Sequence, residues 1–539
     1  MVRVSALAVG VAFSAMQMMP AQSSFSVVEA TITDMQSAMQ QRRTTSRAIV
    51  QEYLDRIAKY EDTLNAIITL NPRALEDADA RDRERRQGNI RGPLHGIPIA
   101  LKDNIHTTDM PTTGGAQVFD RFVPPYEATV TRYLRDAGAV IIAKTNMTEL
   151  ANWVASGMPG NYNALVGYGL NPYDPRRDPR PGTDDGRPAM STGGSSSGTG
   201  TAANFWAANV GTETSGSILS PASWNNLAGI KPTVGRISRY GVIPITADQD
   251  TPGPMARSVA DAAILLGVLE GKSPDAHDPA TRSCARVPNS DYTRFLNAKA
   301  LAGARIGIPR VAFYDSLNPD RARVMAEAIE VLKQNGAVVI DPVGLVADLP
   351  PVCSGPSGAK GADEKCSVVL KYGMKRDFNK WLASLGPRSP VRSLTELRKW
   401  NIDHQSSGSI KYGQAQLDNS DDMDVDRDRA RYLADRQNDL LLSAREGIDA
   451  VMKGQKLDAL LIPAMNYDMA ARAGYPTVIV PFGFVPNAPT PPFPEGFAAK
   501  PGPFGVSFTG MACSEPRLIE LAYAFEQVTK RRVPPAEFP

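Results

Sequence analysis

The sequence predicts an α/β fold in which helices cover both faces of a sheet. Three observations predict it. Short β-rich runs alternate with helical patterns along the chain, the helical patterns open on capping residues, and no internal repeat or Pro/Gly linker divides the chain.

The elements follow in chain order. Ile49, Val50, Tyr53, Leu54 and Ile57 form an apolar stripe behind the cap candidates Thr44, Thr45 and Ser46, which predicts a helix. Strands are predicted at Pro98–Leu101 and Ala139–Ala143. Ser258-Val-Ala-Asp261 reads as a capping box opening an apolar helix to about Leu269. A strand at Arg305–Ile308 precedes a helix in which Val324, Ala328 and Leu332 follow Asp320. Further strands are predicted at Ala337–Ile340, Leu457–Ile462, Thr477–Val480 and Gly505–Phe508. Residues 171–190 and 484–503, dense in Pro and Gly, are predicted surface loops.

Composition narrows the function classes. The 539 residues carry 59 Lys plus Arg against 57 Asp plus Glu, a net charge of +2, which argues against a dedicated nucleic-acid binder. With 42% hydrophobic and 22% charged residues, the chain is neither disordered nor collagenous nor coiled coil. Four His and four Cys argue against a zinc protein or a disulfide scaffold. A catalytic His would have to be His95, His106, His277 or His404.

Arg3, the apolar run Val4–Met16 and the small residues of Ala21-Gln22-Ser23 predict a signal peptide over residues 1–23. The mature domain would span residues 24–539, begin near Ser23 or Ser24, and be periplasmic or secreted. No later run of about 18 apolar residues occurs, so no integral membrane segment is expected in the mature chain. Export would permit disulfides, and Cys353 and Cys366, close together in a Gly-, Pro- and Ser-rich stretch, are the candidate pair.

The most unusual segment is Ser191–Gly200, STGGSSSGTG. A flexible linker is the ordinary fate of such a tract. Here it runs directly into the apolar Thr201–Val210 and is echoed by Gly211-Thr-Glu-Thr-Ser-Gly-Ser217, which a linker would not be. Gly194–Gly198 formally matches G-x-S-x-G, yet the preceding Arg187–Thr192 is no strand. Gly267–Ser273 is one residue short of a P-loop, and no dinucleotide fingerprint or HExxH occurs. A serine nucleophile without histidine needs another base, and a buried neutral Lys can serve. Lys102 and Lys144 each end an apolar strand-like run, and residue chemistry alone does not choose between them.

Several segments together resemble the amidase signature family. They are Leu94–Asn104 (LHGIPIALKDN), Ala143–Leu150, Gly193–Gly198, Gly211–Ala222, Ala228–Thr233, Ala473–Pro476 and Phe504–Glu526, covering roughly residues 27–530. The resemblance, toward the peptide-amidase-like branch, implies a single large domain with a central twisted mixed sheet. It implies a hydrolase of linear amides acting on a small-molecule or peptide substrate, with neither metal nor organic cofactor and no nucleic-acid partner.

The family works through a Ser–Ser–Lys triad. By resemblance Ser217 is the nucleophile, Ser195 the serine on a cis peptide that relays the proton, and Lys102 the base. The backbone N–H groups of Thr214, Ser215 and Gly216 match the family's oxyanion hole. Ser195 and Ser217 stand 22 residues apart, two fewer than is usual in the family, with Ser196 as the fallback for Ser195. Leu219 stands where many members carry Arg, so a local Glu213–Arg pair is not expected. Two other readings fit the same scaffold: the A-type subunit of a glutamine-dependent aminoacyl-tRNA amidotransferase, and a non-catalytic binding protein. The family accepts peptide amides, aryl amides, acylanilides and fatty amides.

Overall fold

The structure, a computed structural model, describes residues 25–183, 185–194, 196–345, 348–464 and 468–539. The predicted leader and Ser195 therefore lie outside the described residues.

Thirteen strands are described. In chain order they are β1 (Ile67–Leu70), β2 (Pro98–Lys102), β3 (Val140–Thr145), β4 (Tyr162–Asn163), β5 (Gly167–Tyr168), β6 (Ala208–Glu213), β7 (Ala228–Lys231), β8 (Thr251–Ala256), β9 (Arg305–Gly307), β10 (Val338–Ile340), β11 (Ala459–Pro463), β12 (Thr477–Val485) and β13 (Gly502–Thr509). β4 and β5 form a small hairpin. The other eleven make one sheet in the order β1-β3-β2-β6-β8-β7-β12-β13-β11-β9-β10. The sheet is mixed: β3, β2 and β6 run parallel, as do β11, β9 and β10, while β8, β7, β12 and β13 join them through antiparallel pairs. Every residue of β2, β3, β6, β7, β8, β11 and β13 is buried, which requires cover on both faces.

The predicted helices supply part of that cover. The first stripe lies in Ser46–Leu64, where Thr45 caps the Ala48 N–H and Ile49, Val50, Tyr53 and Ile57 are buried. Val324, Ala328 and Leu332 are buried in Pro319–Gln334. The helix Val259–Glu270 opens on Ser258, whose side chain accepts from Asp261 N. The predicted reciprocal half of that capping box is not formed. Asp261 Oδ1 instead accepts the Ile32 N–H at 3.0 Å, tying this helix to the N-terminal segment.

All seven predicted strands are present. The other six, β1, β4, β5, β6, β7 and β8, are not among those predicted from sequence. β8 is disguised by Pro252, Gly253 and Pro254, residue types depleted in strands; on its β7 side it pairs only through Met255 and Ala256, beyond those prolines. β3 also runs to Thr145, so Lys144 lies within the strand rather than after it.

The two Pro-rich loops dock on each other. In 171–190 the pattern Asp-x-Arg recurs three times, at Asp174/Arg176, Asp178/Arg180 and Asp185/Arg187, each Asp pairing with the Arg two residues on. Arg176 donates to the Ala498 carbonyl and lies 4.2 Å from the Phe497 ring centroid. Arg180 donates to the Pro491 carbonyl. The predicted Cys353–Cys366 disulfide is present, with Cα atoms 5.0 Å apart. A second, Cys284–Cys513, links residues 229 positions apart and was not anticipated.

Candidate active site

Lys102 is the last residue of β2, an interior strand flanked by β3 and β6, and is 1% exposed. Its Nζ donates to the carbonyl of Thr212, on the neighbouring strand β6, at 3.0 Å. Asn104 Nδ2 donates to the Thr212 hydroxyl at 2.9 Å and so holds the same residue. Burial pushes Lys102 down to about 8, because desolvation disfavours the ammonium. The carboxylates of Asp250 and Glu213 oppose this through space.

Lys144, equally buried one strand away, is bound differently. Its Nζ meets Asp103 Oδ1 at 3.1 Å, the Pro111 carbonyl at 3.0 Å and Thr112 Oγ1 at 2.7 Å. Asp103 is held in turn by the amide and hydroxyl of Thr113. Burial pushes Lys144 down as well, but the Asp103 carboxylate opposes this by charge and hydrogen bond, so that, unlike Lys102, Lys144 has an ionic partner in direct contact. The two lysines that residue chemistry could not separate are thus separated by their partners.

The segment after β6 turns sharply. Gly216 has φ +89, a conformation that favours glycine. Among the described residues no acceptor takes the N–H of Ser215 or Gly216. Ser217 follows, half-buried, and the helix Leu219–Trp224 begins two residues later. Glu213 Oε2 accepts the N–H groups of Ile218 at 2.7 Å and Leu219 at 3.0 Å, so backbone holds one oxygen of this carboxylate where many members of the family would offer an Arg at 219, while Oε1 is buried with no hydrogen-bond partner among the described residues.

The glycine-rich segment closes on the same place. Gly193 has φ +78, and a Cβ there would run into the backbone of Ser220 and Pro221. Only glycine lets this segment lie against the start of the helix that follows Ser217. The Gly194 carbonyl accepts from Thr148 N at 3.2 Å and Thr148 Oγ1 at 2.7 Å. Asn225 Nδ2 bridges the Thr192 and Pro221 carbonyls at 3.0 and 2.8 Å. The residue that follows Gly194, the predicted relay Ser195, and the peptide bond leading to it lie outside the described residues. The helix Ser196–Ala202 resumes the chain.

Four residues that sequence reasoning did not single out shape the surroundings. Thr148 and Asn225 pin the glycine segment. Asp250 and Gln249 both grip Thr214: the Thr214 hydroxyl donates to Asp250 Oδ1 at 2.5 Å, and Gln249 Nε2 donates to the Thr214 carbonyl at 3.2 Å. Thr148 lies within one of the family-like segments; Asp250 carries no signal beyond an acidic residue before a short apolar run. A small pocket lies among Asn104, Ala151, Thr212, Thr214, Ile243 and Asp250. Ala151, which lines it, and its neighbours Leu150 and Asn152 take φ values of +56, +43 and +70. Left-handed backbone at three consecutive non-glycine residues is strain of the kind that clusters at functional sites. A larger cavity, about 660 Å³, lies elsewhere, between Tyr133, Ile264 and Tyr292.

The histidines stand apart from this cluster. His106 is held by Trp381, whose Nε1 donates to Nε2 at 2.9 Å, and burial pushes it down to about 3. His95, His277 and His404 are engaged by the Arg81 carbonyl, Asp275 and the Trp400 carbonyl.

Comparison with known proteins bears on this geometry. The amidase family profile matches residues 48–519. A probable amidase of Arabidopsis thaliana is 35% identical over 521 residues, covering 95% of this chain and 92% of its own length. The A-type subunit of a glutamyl-tRNA(Gln) amidotransferase from Alkaliphilus metalliredigens is 31% identical over 520 residues, covering 93% and 96%. The crystal structure of peptide amidase from Stenotrophomonas maltophilia superposes with a TM-score of 0.80 at 38% identity, covering 94% of this chain and 98% of that one. A peptide amidase bound to the competitive inhibitor chymostatin gives 0.81 at 37%, covering 95% and 100%.

Proposed function

The chain belongs to the amidase family and is an amide-hydrolysing enzyme, and on that premise we propose that it cleaves carboxamide C–N bonds of peptide amides through Ser217, Ser195 and Lys102. The observation that carries the assignment is the Lys102–Thr212 hydrogen bond, which brings a buried lysine of lowered pKa to the strand end from which residues 214–217 turn.

Neutral Lys102 accepts a proton from Ser195 as Ser195 takes one from Ser217. The Ser217 Oγ attacks the amide carbonyl carbon, and the carbonyl π electrons move onto oxygen. The N–H groups of Thr214, Ser215 and Gly216 stabilise that oxyanion; losing one such donor costs about 10²–10³ in rate. As the intermediate collapses the C–N bond breaks, and the leaving amine takes the proton back through Ser195. Water then repeats the sequence on the acyl-serine ester, releasing the acid and restoring Ser217.

A peptide-amide substrate is supported by the peptide amidase structures at 37–38% identity. The amidotransferase reading is supported less: A-type subunits 40% identical match over only 57–58% of this chain, and the Alkaliphilus metalliredigens subunit, which matches over 93% of it, is 31% identical. Export is supported by the Arg3 and Val4–Met16 pattern and by two disulfides, which persist in oxidising compartments. Residues 24–539 would then form the mature domain, and an intact Met1 on protein from the native host would count against it.

The test is release of ammonia or amine from a panel of peptide amides, aryl amides, acylanilides and fatty amides, with Ser217→Ala beside the wild type. Peptide amides are expected to be turned over fastest. Ser217→Ala is expected to lose turnover and labelling by a fluorophosphonate. Turnover retained by Ser217→Ala would refute the assignment, and labelling of the wild type without turnover of any amide would favour a binding role.

A further inference from the structure

Thr214 is gripped at two atoms by one turn. Its hydroxyl donates to Asp250 Oδ1 at 2.5 Å, and its carbonyl accepts from Gln249 Nε2 at 3.2 Å. Asp250 is buried, and its other oxygen accepts the N–H groups of Ile245 and Thr246, each at 2.9 Å, which closes the turn on itself. The turn is anchored from outside. The Ala247 N–H donates to Asp377 Oδ2 at 2.7 Å, Tyr432 Oη donates to both oxygens of Asp248 at 2.9 Å, and Arg436 Nη2 donates to the Asp248 carbonyl at 3.1 Å. The turn is thus fixed on one side to helices that follow β10, and on the other to the segment leading to Ser217.

Both oxygens of Asp250 are occupied, so it is not placed to exchange protons with a substrate. Its geometry sets a position instead. Thr214 begins the 214–216 backbone, whose amides must point at the place where negative charge develops. A misplacement of about 1 Å at a catalytic site can cost about 10²-fold in rate.

We propose that Asp250 is a positioning residue for amide hydrolysis, holding the 214–216 backbone in place through Thr214. The proposal rests on the assignment of those amides as the oxyanion donors. Asp250 also acts on Lys102 by charge. The groups that face this pair are Glu213 on the β6 side, Arg239 beside the pocket, and Asp377 from the helices.

The experiment compares Asp250→Ala, Asp250→Asn and Thr214→Val with the wild type on one peptide amide. Rates are expressed per active site by titration with a fluorophosphonate. Asp250→Ala and Thr214→Val are expected to lower kcat about 10- to 100-fold with KM within about threefold, below the loss for deleting a donor outright. Asp250→Asn still offers an amide group to Thr214 and is expected to keep kcat within about fivefold. Removing the negative charge near Lys102 favours the neutral amine, so Asp250→Asn should also move the alkaline rise of kcat/KM to lower pH. A merely structural role would lower the titratable fraction and leave kcat per site and the pH rise unmoved, and that result overturns the proposal. If Asp250→Ala does not fold, Thr214→Val decides: an unchanged kcat per site overturns the proposal. Ser217→Ala keeps the two levels apart, since turnover in that variant refutes the underlying assignment whatever the Asp250 variants do.

Discussion

The Nζ of Lys102 donates to the main-chain carbonyl of Thr212 at 3.0 Å, across the boundary between β2 and β6. A carbonyl is a weak anchor for an ammonium compared with a carboxylate, so burial prevails and the lysine is pushed down to about 8. Activity should therefore rise between about pH 7 and pH 9 as the amine loses its proton. Lys102→Ala should cost about 10²–10⁴ in amide turnover, the range for a general base, and abolish the rise. Full activity in that variant would show that the wrong lysine is assigned.

The same burial has a cost in stability. A Lys whose folded pKa is depressed binds fewer protons folded than unfolded between about 8 and the ordinary 10.5, so its contribution improves as pH rises through that window. Lys102→Met, which carries no charge to bury, should raise Tm at pH 7, and the gain should shrink toward pH 10. Thermal scans at both pH values check it, and a gain that grew with pH would contradict the sign.

Lys144→Ala should behave in the opposite way. It strands the buried Asp103 carboxylate, and removing one partner of a buried pair costs about 3–5 kcal/mol. The expected outcome is a large fall in Tm with the alkaline rise of kcat/KM retained in the fraction that stays folded. Loss of the rise in Lys144→Ala alone would move the base to that residue.

Gly193→Ala tests the closure of the glycine segment. The added Cβ meets backbone atoms of Ser220 and Pro221, which cannot swing away, so turnover should fall at least tenfold. Gly182→Ala is the comparison: it has the same φ of +78 but open space, so only left-handed strain of about 1–2 kcal/mol should appear, without loss of turnover. Equal turnover in the two variants would show that the contact is immaterial.

The two disulfides differ in what they close. Cys284–Cys513 spans 229 residues and Cys353–Cys366 spans 13, which by chain entropy corresponds to about 5 and about 3 kcal/mol. Serine pairs at 284/513 should lower Tm more than serine pairs at 353/366. The reverse order in urea unfolding would show that strain or residual structure outweighs loop closure.

Much of this molecule is legible in one dimension. Apolar runs mark seven strands, apolar stripes behind capping residues mark three of the helices, and resemblance to family motifs, contiguous in the chain, singles out Lys102 and the 214–217 segment without any fold. These are local properties, set by the period of burial and by residues adjacent in the chain. Cys353 and Cys366 pair for the same reason: only 13 residues separate them. What tertiary structure decided are the partners. Lys102 and Lys144 follow similar apolar runs, and only the approach of Asp103, Pro111 and Thr112 to one, and of Thr212 to the other, makes them chemically different. Asp250 reaches Thr214 across 36 residues, and Cys513 reaches Cys284 across 229. A side chain's pKa and its hold on a neighbour depend on distances in space, which the fold imposes and residue order does not contain.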